Sequence, residues 1–199
     1  MGKIVISANA TLDGIIEDPD GEEGFERGGW FHRFVAGKDL EGWVARETEE
    51  ALRVEALLLG GRSSAWFASR MLAREGAEVR VSPAWADRVK GMPKFILSST
   101  AEDVPWRNAL VLRGDVVREI RALKLQLDGE ILVYGSYSLV RALIEHDLAD
   151  ELRLMVFPVV LGAGARLFGE TGGEKPMRLI ESRRIGEGLV FQAYEFVRA

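Results

Sequence analysis

The stretch that decides the fold of this chain runs from Glu130 to Phe168 and reads EILVYGSYSLVRALIEHDLADELRLMVFPVVLGAGARLF. Its first apolar run, 131–134, stops at Gly135, and apolar residues then recur at helical spacing, so the pattern predicts a strand followed by a helix. Free backbone N–H groups and the positive end of the helix dipole gather at such a helix start. The stretch therefore predicts an anion-binding turn, which suits a nucleotide.

The Gly-Ser-Tyr-Ser turn after this strand carries groups that suit a phosphate. Gly135 lets the main chain approach a pyrophosphate closely. The hydroxyls of Ser136 and Ser138 can cap the helix or bond a phosphate oxygen, and Tyr137 lies between them. A strand-Gly-Ser-helix junction is also an ordinary way to start a helix, so this motif alone leaves both interpretations open.

A second junction of the same kind lies upstream, where residues 57–67 read LLLGGRSSAWF. It predicts a buried strand over 56–59 that turns at two glycines into a helix capped by Ser63 or Ser64. The turn and the helix start consist of Gly60, Gly61, Arg62, Ser63 and Ser64. A guanidinium beside a helix N-terminus suits an adenosine 2'-phosphate, so Arg62 favours NADPH over NADH. The alternative is a surface arginine beside an ordinary cap.

A third junction ends another apolar run in hydroxyl groups, because residues 94–100 read KFILSST. Leu97, Ser98 and Ser99 are expected to lie beside the ribose or adenine of the same nucleotide, and Ala8, at the end of the first predicted strand, is placed with them. Open α/β sheets bind ligands beyond the carboxyl ends of their strands. Several strand ends that offer Gly, hydroxyl and Arg groups therefore predict one nucleotide site.

These motifs resemble the dihydrofolate-reductase-like fold and, within it, the C-terminal reductase domain of the riboflavin-pathway deaminase-reductase with its stand-alone relatives. The resemblance covers nearly the whole chain. Thr11-Leu12-Asp13-Gly14 is similar to the family's Ser-Leu-Asp-Gly element, and 57–67 is similar to its Gly-Arg-x-Thr turn. The segment from Gly135 to Phe168 is the most specific part. No zinc-deaminase Cys/His motif is present, so only the reductase half is represented.

The glycine-rich turn departs from the family at one place. The family's Arg directly after the first Gly is Gly61 here, Arg62 stands one place later, and Ser63 stands where Thr is usual. The arginine expected to contact the 2'-phosphate of NADPH is therefore displaced by one position. The resemblance implies NADPH as the cofactor, with NADH as the alternative, and a small heterocyclic or sugar-linked substrate. It also implies a homodimer.

The resemblance and the order of predicted elements give an α/β fold with three layers, a mostly parallel central sheet and a C-terminal antiparallel hairpin, in one domain over 1–199. Strands are predicted at 3–8, 56–59, 94–98, 109–112, 131–134 and 151–160, and the hairpin at 178–184 and 189–197. Helices are predicted at 40–54, 64–74, 115–125 and 138–146, with a short helix at 84–89 inside the polar segment 75–93. Residues 18–29 are expected to form a loop.

Composition agrees with an enzyme domain. The chain has 199 residues, 47% of them hydrophobic, which is enough for a sizeable core. The net charge of −5 argues against nucleic acid or an anionic membrane as the main partner. The chain has no cysteine, which excludes disulfides, thiolate metal sites and a Cys nucleophile. The first residues lack a signal pattern, so a cytoplasmic location is expected.

No metal is expected. The acidic cluster in the 18–29 loop and just before it does not have the spacing of a calcium loop, and a solvated loop is the simpler interpretation. The cluster consists of Glu17, Asp18, Asp20, Glu22, Glu23 and Glu26. Trp30, Phe31 and Phe34 either belong to the core or form a wall for a flat heterocycle. Gly162 and Gly164 form a tight turn after a buried strand, and the resemblance implies that this turn borders the substrate.

Asp13 is the first candidate for a catalytic acid, because it follows the first strand where the resemblance places the nicotinamide. An Asx-type turn with Gly14 is the alternative role. Glu47, on the predicted helix before the glycine-rich turn, is the second candidate, and Thr11 is placed with Asp13 in the substrate site. Three functions stay open at this stage: a reductase similar to 5-amino-6-(5-phosphoribosylamino)uracil reductase, a pterin or dihydrofolate reductase, and a non-catalytic protein that binds NADPH.

Overall fold

The computed structural model describes residues 1–72, 82–100, 104 and 106–198. The strands are β1 Lys3–Thr11, β2 Ala56–Gly60, β3 Lys94–Leu97, β4 Ala109–Leu112, β5 Glu130–Tyr134, β6 Glu151–Phe157, β7 Met177–Ile185 and β8 Leu189–Phe196. The helices are α1 Trp30–Phe34, α2 Gly37–Arg53, α3 Gly61–Leu72, α4 Pro83–Gly91, α5 Val116–Gln126 and α6 Tyr137–Glu145. The strands form a sheet of order β4-β3-β2-β5-β1-β6-β8-β7.

The chain divides into two compact units. The first unit contains Met1–Ile6 and Val44–Asp150, and the second contains Ser7–Trp43 and Glu151–Ala199. Strand β1 therefore contributes its first half to one unit and its second half to the other. The prediction of a single domain over 1–199 stays a prediction.

The sheet of the first unit is parallel where β2, β3, β4 and β5 pair. Leu57 pairs with Lys94, Lys94 with Ala109, and Ala56 with Ile131. Strand β2 is the apolar run ALLLG and is buried over its first four residues, as expected for a central strand that is covered on both faces. Complete burial of each leucine contributes about 1.5–3 kcal/mol. These parallel strands end at the same edge of the sheet.

The second unit contains the antiparallel part of the sheet. Strand β6 pairs with β8, and β8 pairs with β7 in the hairpin that turns at residues 186–188, with a bulge between Leu179 and Glu181. Alternate residues of β6 and β8 face one core, where Phe157 and Phe191 pack with Trp30. The period of two in β8, with Leu189, Phe191 and Ala193 buried, explains why the hairpin could be predicted from the sequence.

Most predicted elements are present with shifted ends, and three differences concern α3, β6 and β1. Helix α3 begins at Gly61, directly after β2, so Ser63 and Ser64 lie inside its first turn and the prediction that one of them caps the helix is wrong. Strand β6 ends at Phe157 and not at 160, because Pro158 has no N–H for the ladder. Strand β1 continues beyond residue 8 to Thr11.

The predicted short helix at 84–89 is present as α4. Its N-cap is Ser82, whose side chain accepts a hydrogen bond from Trp85 N, and Pro83 occupies the first helical position. The part of the predicted polar segment at 75–81 lies outside the described residues, as do the last two positions of the helix predicted at 64–74. None of the described helices is long and apolar enough to cross a membrane.

Candidate functional site

The ends of β2, β3 and β5 lie close together in the first unit. A hydrogen bond joins β2 to the turn after β5, and glycines of the turns pack against serines. The backbone N–H of Gly60, at the end of β2, donates to Ser136 Oγ at 2.8 Å. Ser136 follows β5 and its hydroxyl also donates to the carbonyl of Tyr134 at 3.4 Å. Ser136 is the N-cap residue of α6 by position but makes no side-chain cap bond, so its predicted capping role is wrong. Its hydroxyl ties the ends of β2 and β5 together.

The glycines of these junctions are needed for close approach. A Cβ at Gly61 would lie 2.9 Å from Ser98 Oγ, so that side chain would have to move, and a Cβ at Gly60 would lie 3.3 Å from Ser136 Oγ. Gly135 has a φ of +56°, a left-handed conformation that favours glycine, and it faces Ser63 Oγ. Each glycine thus faces a serine from a different junction. The structure brings together the serines and glycines that the sequence placed at three separate turns.

The other predicted cofactor contacts in this unit lie around the same strand ends. Arg62 is the second residue of α3 and is exposed. Leu97 ends β3 and is half-buried, Ser99 follows Ser98 and is exposed, and Tyr137 and Ser138 are the first residues of α6. The first turns of α3 and α6 both present backbone N–H groups that have no partner within the helix, and these suit an anion. Ala8 lies in the second unit.

Glu47 lies on α2 in the first unit and is buried, with the side chains of Glu50, Tyr134 and Arg46 as its electrostatic neighbours. Burial and the neighbouring carboxyl of Glu50 raise the pKa of Glu47 to about 8, against the opposing effects of Tyr134 and Arg46. Burial is the largest cause that raises the pKa of Tyr134 well above its ordinary value, and the charges of Glu47 and Glu50 raise it further. Glu47 therefore carries a proton near neutral pH.

Sequence reasoning missed Glu50 and Tyr134 as neighbours that act on the pKa of Glu47. Trp85 Nε1 donates to the Tyr134 hydroxyl at 3.4 Å, which extends the network to α4. A signal existed, because Tyr134 is a polar aromatic at the end of an apolar strand and Glu47 shares a helix face with Ala51. The sequence alone does not show that these positions meet.

Asp13 lies in the second unit, and its carboxylate accepts hydrogen bonds from a side chain and from two backbone N–H groups. Its Oδ1 accepts from Thr11 Oγ1 at 2.6 Å and from Leu161 N at 3.2 Å, and its Oδ2 accepts from Gly162 N at 2.8 Å. Burial acts to raise the pKa of Asp13, but the hydrogen bonds from Thr11, Gly162 and Leu161 outweigh it and lower the pKa to about 2. An ionised carboxylate does not donate a proton near neutral pH, so the geometry argues against the acid role and favours the turn role.

The surroundings of Asp13 support the same interpretation. Gly14 has a φ of +79°, and its N–H donates to the carbonyl of Thr11 at 2.8 Å, which closes a turn. The guanidinium of Arg166 donates to the backbone carbonyl of Asp13. Asp13 thus holds the segment 161–162 against the turn that follows β1, and Thr11 supports it.

The remaining predicted substrate residues also lie in the second unit. Trp30 is fully buried, with its ring edge-on to Phe157 at 5.1 Å between centroids and its Nε1 donating to the carbonyl of Glu17 at 2.8 Å. Phe31 packs on Trp43 in the same core. This geometry favours the core alternative for both rings, whereas Phe34 is exposed and does not belong to this core.

The turn predicted around Gly162 and Gly164 is present, with φ values of +76° and +115°. A Cβ at Gly164 would lie 2.9 Å from Ile15 and Phe25, so only glycine fits there. Among the described residues, no cluster of three or more His, Cys, Asp or Glu side chains is placed to hold a metal.

Comparison with known proteins identifies the family. The model of the RibD C-terminal domain family matches residues 2–191. The uncharacterized protein YyaP of Bacillus subtilis (strain 168) is 25% identical over 194 residues, which cover 98% of this chain and 95% of that protein. The family prediction made from the motifs is therefore confirmed.

Solved structures show the same fold. A protein of Shewanella sp. PV-4 described as a candidate riboflavin biosynthesis protein has a TM-score of 0.73 and 23% identity, covering 98% of this chain and 99% of that one. The bifunctional deaminase and 5-amino-6-(5-phosphoribosylamino)uracil reductase of Thermotoga maritima has a TM-score of 0.63 and 13% identity, covering 98% of this chain and 57% of its own.

Dihydrofolate reductase from Enterococcus faecalis, complexed with NADP(H), has a TM-score of 0.58 and 15% identity, covering 98% of this chain and 97% of that one. At these identities the likeness shows the fold, so the predicted dihydrofolate-reductase-like fold is confirmed. The sequence match and the shared fold agree over nearly the whole length, and the chain belongs to the RibD C-terminal domain family.

Proposed function

We propose that this protein is an NADPH-dependent reductase that delivers hydride to a C=N or C=O carbon of a small heterocyclic or sugar-linked substrate, similar to 5-amino-6-(5-phosphoribosylamino)uracil reductase. The observation that carries the proposal is the joined set of turns at the ends of β2, β3 and β5, with helix N-termini at two of them. Membership of the RibD C-terminal domain family supports it.

The joined turns suit the phosphates of a dinucleotide. Backbone N–H groups in the first turns of α3 and α6 would hold the pyrophosphate, and Gly135 would allow the main chain to approach it. Arg62, exposed at the start of α3, would bind the 2'-phosphate of NADPH and discriminate against NADH. Leu97, Ser98 and Ser99 would line the place of the ribose and adenine.

A bound NADPH would supply the hydride, and the protein would supply orientation, exclusion of water and a proton. Reduction of a C=N or C=O bond leaves a nitrogen or oxygen that needs a proton. Of the two carboxyls predicted as acids, Glu47 is protonated near neutral pH and Asp13 is ionised. We therefore assign proton supply to Glu47, and to Asp13 the role of holding the turn at Gly162.

The first experiment measures cofactor binding. NADPH and NADH are titrated into the purified protein while tryptophan fluorescence is followed, for the native chain and for Arg62→Ala. Loss of a bidentate contact should cost about 1.5–3 kcal/mol for NADPH and almost nothing for NADH. Arg121→Ala, which removes an exposed cation on α5, is the matched control and should change neither affinity. Equal losses for both cofactors in Arg62→Ala would contradict the assigned contact.

The second experiment measures turnover. NADPH oxidation is followed with pterins and with aminouracil ribosyl phosphates as acceptors. Oxidation with the ribosyl phosphates supports the proposed class, and oxidation with pterins alone supports a dihydrofolate-type reductase. Tight NADPH binding without oxidation by any acceptor would favour a non-catalytic binding protein, and absence of binding to either cofactor would refute the proposal.

A further inference from the structure

The part of the sheet that lies in the second unit has two faces with different surroundings. On one face, Met155 and Phe157 of β6 and Phe191 of β8 pack in the core with Trp30 of α1. Successive side chains of a strand point to opposite faces, so the residues between these belong to the other face, which we call the open face. The open face consists of Leu154 and Val156 of β6, Val190, Gln192 and Tyr194 of β8, and Leu179 of β7, with Leu12 and Phe168 at its border.

Cross-strand pairing places the residues of the open face side by side. Val156 pairs with Val190, and Leu154 pairs with Gln192. Residues that are directly opposite each other in neighbouring strands project from the same face. A groove of about 380 Å³ lies over them, and none of the described residues that line it is charged.

The open face leaves a large apolar area in solvent. Leu12 is 63% exposed, Leu179 53%, Phe168 47% and Val190 37%. A fully exposed side chain of this size presents about 200 Å², so these four residues alone leave about 400 Å² in water. A stable interface buries about 800 Å² on each partner. The half-buried residues between the four bring the open face into the range that a dimer needs.

We propose that the open face is the interface of a two-fold dimer, in which a second copy of this chain stacks its own open face on the first. The resemblance implies a homodimer but assigns no surface to it. An uncharged face offers a different protein no pattern of ion pairs to recognise, whereas two identical patches need only shape and apolar area, and homodimer interfaces are the more apolar class. Two sheets stacked in this way lie about 10 Å apart with interdigitating side chains.

The free edge of β7 is less suited to a second copy than the open face. Strand β7 is the last strand of the sheet, and an unprotected edge of this length would pair with another strand. Proteins block such edges with proline, charges and bulges. Pro176 directly precedes β7, a bulge separates Leu179 from Glu181, and Arg183 and Arg184 carry charge along the strand. The dimer therefore forms by stacking of faces and not by addition of strands.

The first experiment places a charge on the open face and measures the mass of the particle by sedimentation equilibrium. Val190→Lys and Leu179→Lys each bring two like charges together in the proposed dimer, so the dissociation constant of the dimer should rise at least about hundredfold. Leu110→Lys is the matched control, because Leu110 lies on the other edge strand, β4, and is 56% exposed against 53% for Leu179. The native protein and Leu110→Lys should have twice the mass of one chain.

The same experiment overturns the proposal if the native protein is a monomer at the highest concentration reached, or if both open-face variants dimerise as tightly as the native protein. Far-UV circular dichroism and a thermal melt show that each variant is folded. Both substitutions replace exposed side chains, so the fold of one copy does not depend on them.

The second experiment does not require a variant that weakens the dimer. The chain has no cysteine, so a single cysteine introduced by Gln192→Cys reports whether two open faces meet. A bismaleimide that spans about 10 Å, the distance between stacked sheets, should crosslink two copies of Gln192→Cys and leave Leu110→Cys uncrosslinked. Crosslinking of Leu110→Cys alone, or of neither protein, would refute the proposal. Neither experiment uses a cofactor or a substrate, so failure of the proposed function leaves this inference testable.

Discussion

The backbone N–H of Gly60 donates to the hydroxyl of Ser136 at 2.8 Å, although the two residues are 76 positions apart in the chain. Gly60 ends β2, and Ser136 lies between β5 and α6 in the left-handed conformation, with φ +60°. One hydroxyl thus holds together two strand ends that both precede a helix N-terminus. The bond makes Ser136 part of the framework of the candidate cofactor site.

Substitution of Ser136 separates this hydrogen bond from backbone strain. Ser136→Ala removes the bond and keeps the strained conformation, so we expect a loss of about 1–2 kcal/mol in the free energy of unfolding. Ser136→Gly also removes the bond but relieves about 1 kcal/mol of strain, so it should lose less. Urea unfolding measures both values. An alanine variant as stable as the native protein would contradict the role given to the hydroxyl, and a glycine variant less stable than the alanine variant would contradict the strain.

Substitution of Gly135 separates backbone strain from the approach of a ligand. Gly135 has φ +56°, and a Cβ there would lie 3.5 Å from Ser63 Oγ, which is an ordinary contact. Asn tolerates this conformation, so Gly135→Asn should fold with a loss of about 1 kcal/mol or less. If the main chain lies against the pyrophosphate, NADPH affinity should still fall about tenfold or more. A thermal melt and a fluorescence titration measure the two effects, and unchanged affinity would rule out the close approach.

Ionised Asp13 is expected to stabilise the folded state by accepting hydrogen bonds from the backbone at 161–162. Because hydrogen bonds lower its pKa from 3.8 to about 2, it stabilises the folded state above pH 4, and that contribution is lost as the pH falls through 2. The amide introduced by Asp13→Asn has only one acceptor oxygen, so the free energy of unfolding should fall by about 0.5–1.5 kcal/mol at neutral pH. The variant should not lose further stability in acid, because it has no carboxylate at this position to protonate. Unfolding free energies between about pH 2 and pH 7 test the point. An acid-dependent loss of the same size in both proteins would contradict this role of Asp13.

Because of Lys94, the free energy of unfolding is expected to increase as the pH rises from about 8 to 10.5. Its Nζ is buried under the ring of Trp106 at 4.4 Å and donates to the carbonyls of Met92 and Lys90. Burial lowers the pKa of Lys94 from 10.5 to about 8, so the unfolded state binds more protons between these values and folding becomes more favourable as the pH rises from 8 to 10.5. In Lys94→Met this rise should be absent. Thermal melts of both proteins at matched pH values measure the difference, and identical slopes would contradict it.

The sequence determined the elements that depend on neighbours along the chain. The run ALLLG is apolar throughout and gave β2, the alternation of β8 gave the hairpin, and Asp115 caps α5 by accepting from Arg118 N. The motifs around Gly60 and Gly135 also identified the family, since glycine and hydroxyl groups at strand ends follow local rules of turn geometry.

The tertiary structure decided what each polar group does. Ser136 was predicted either to cap its helix or to bond a phosphate oxygen, and its hydroxyl accepts a hydrogen bond from Gly60 N of a distant strand instead of capping. Asp13 was predicted either as an acid or as part of an Asx-type turn, and three donors hold it ionised, two of them from the segment at 161–162. Glu47 keeps its proton because burial, and then the neighbouring carboxyl of Glu50, raise its pKa. Periodicity and caps are local properties, whereas hydrogen-bond partners and dielectric surroundings arise only when distant segments pack, and they set the chemistry of these carboxyls.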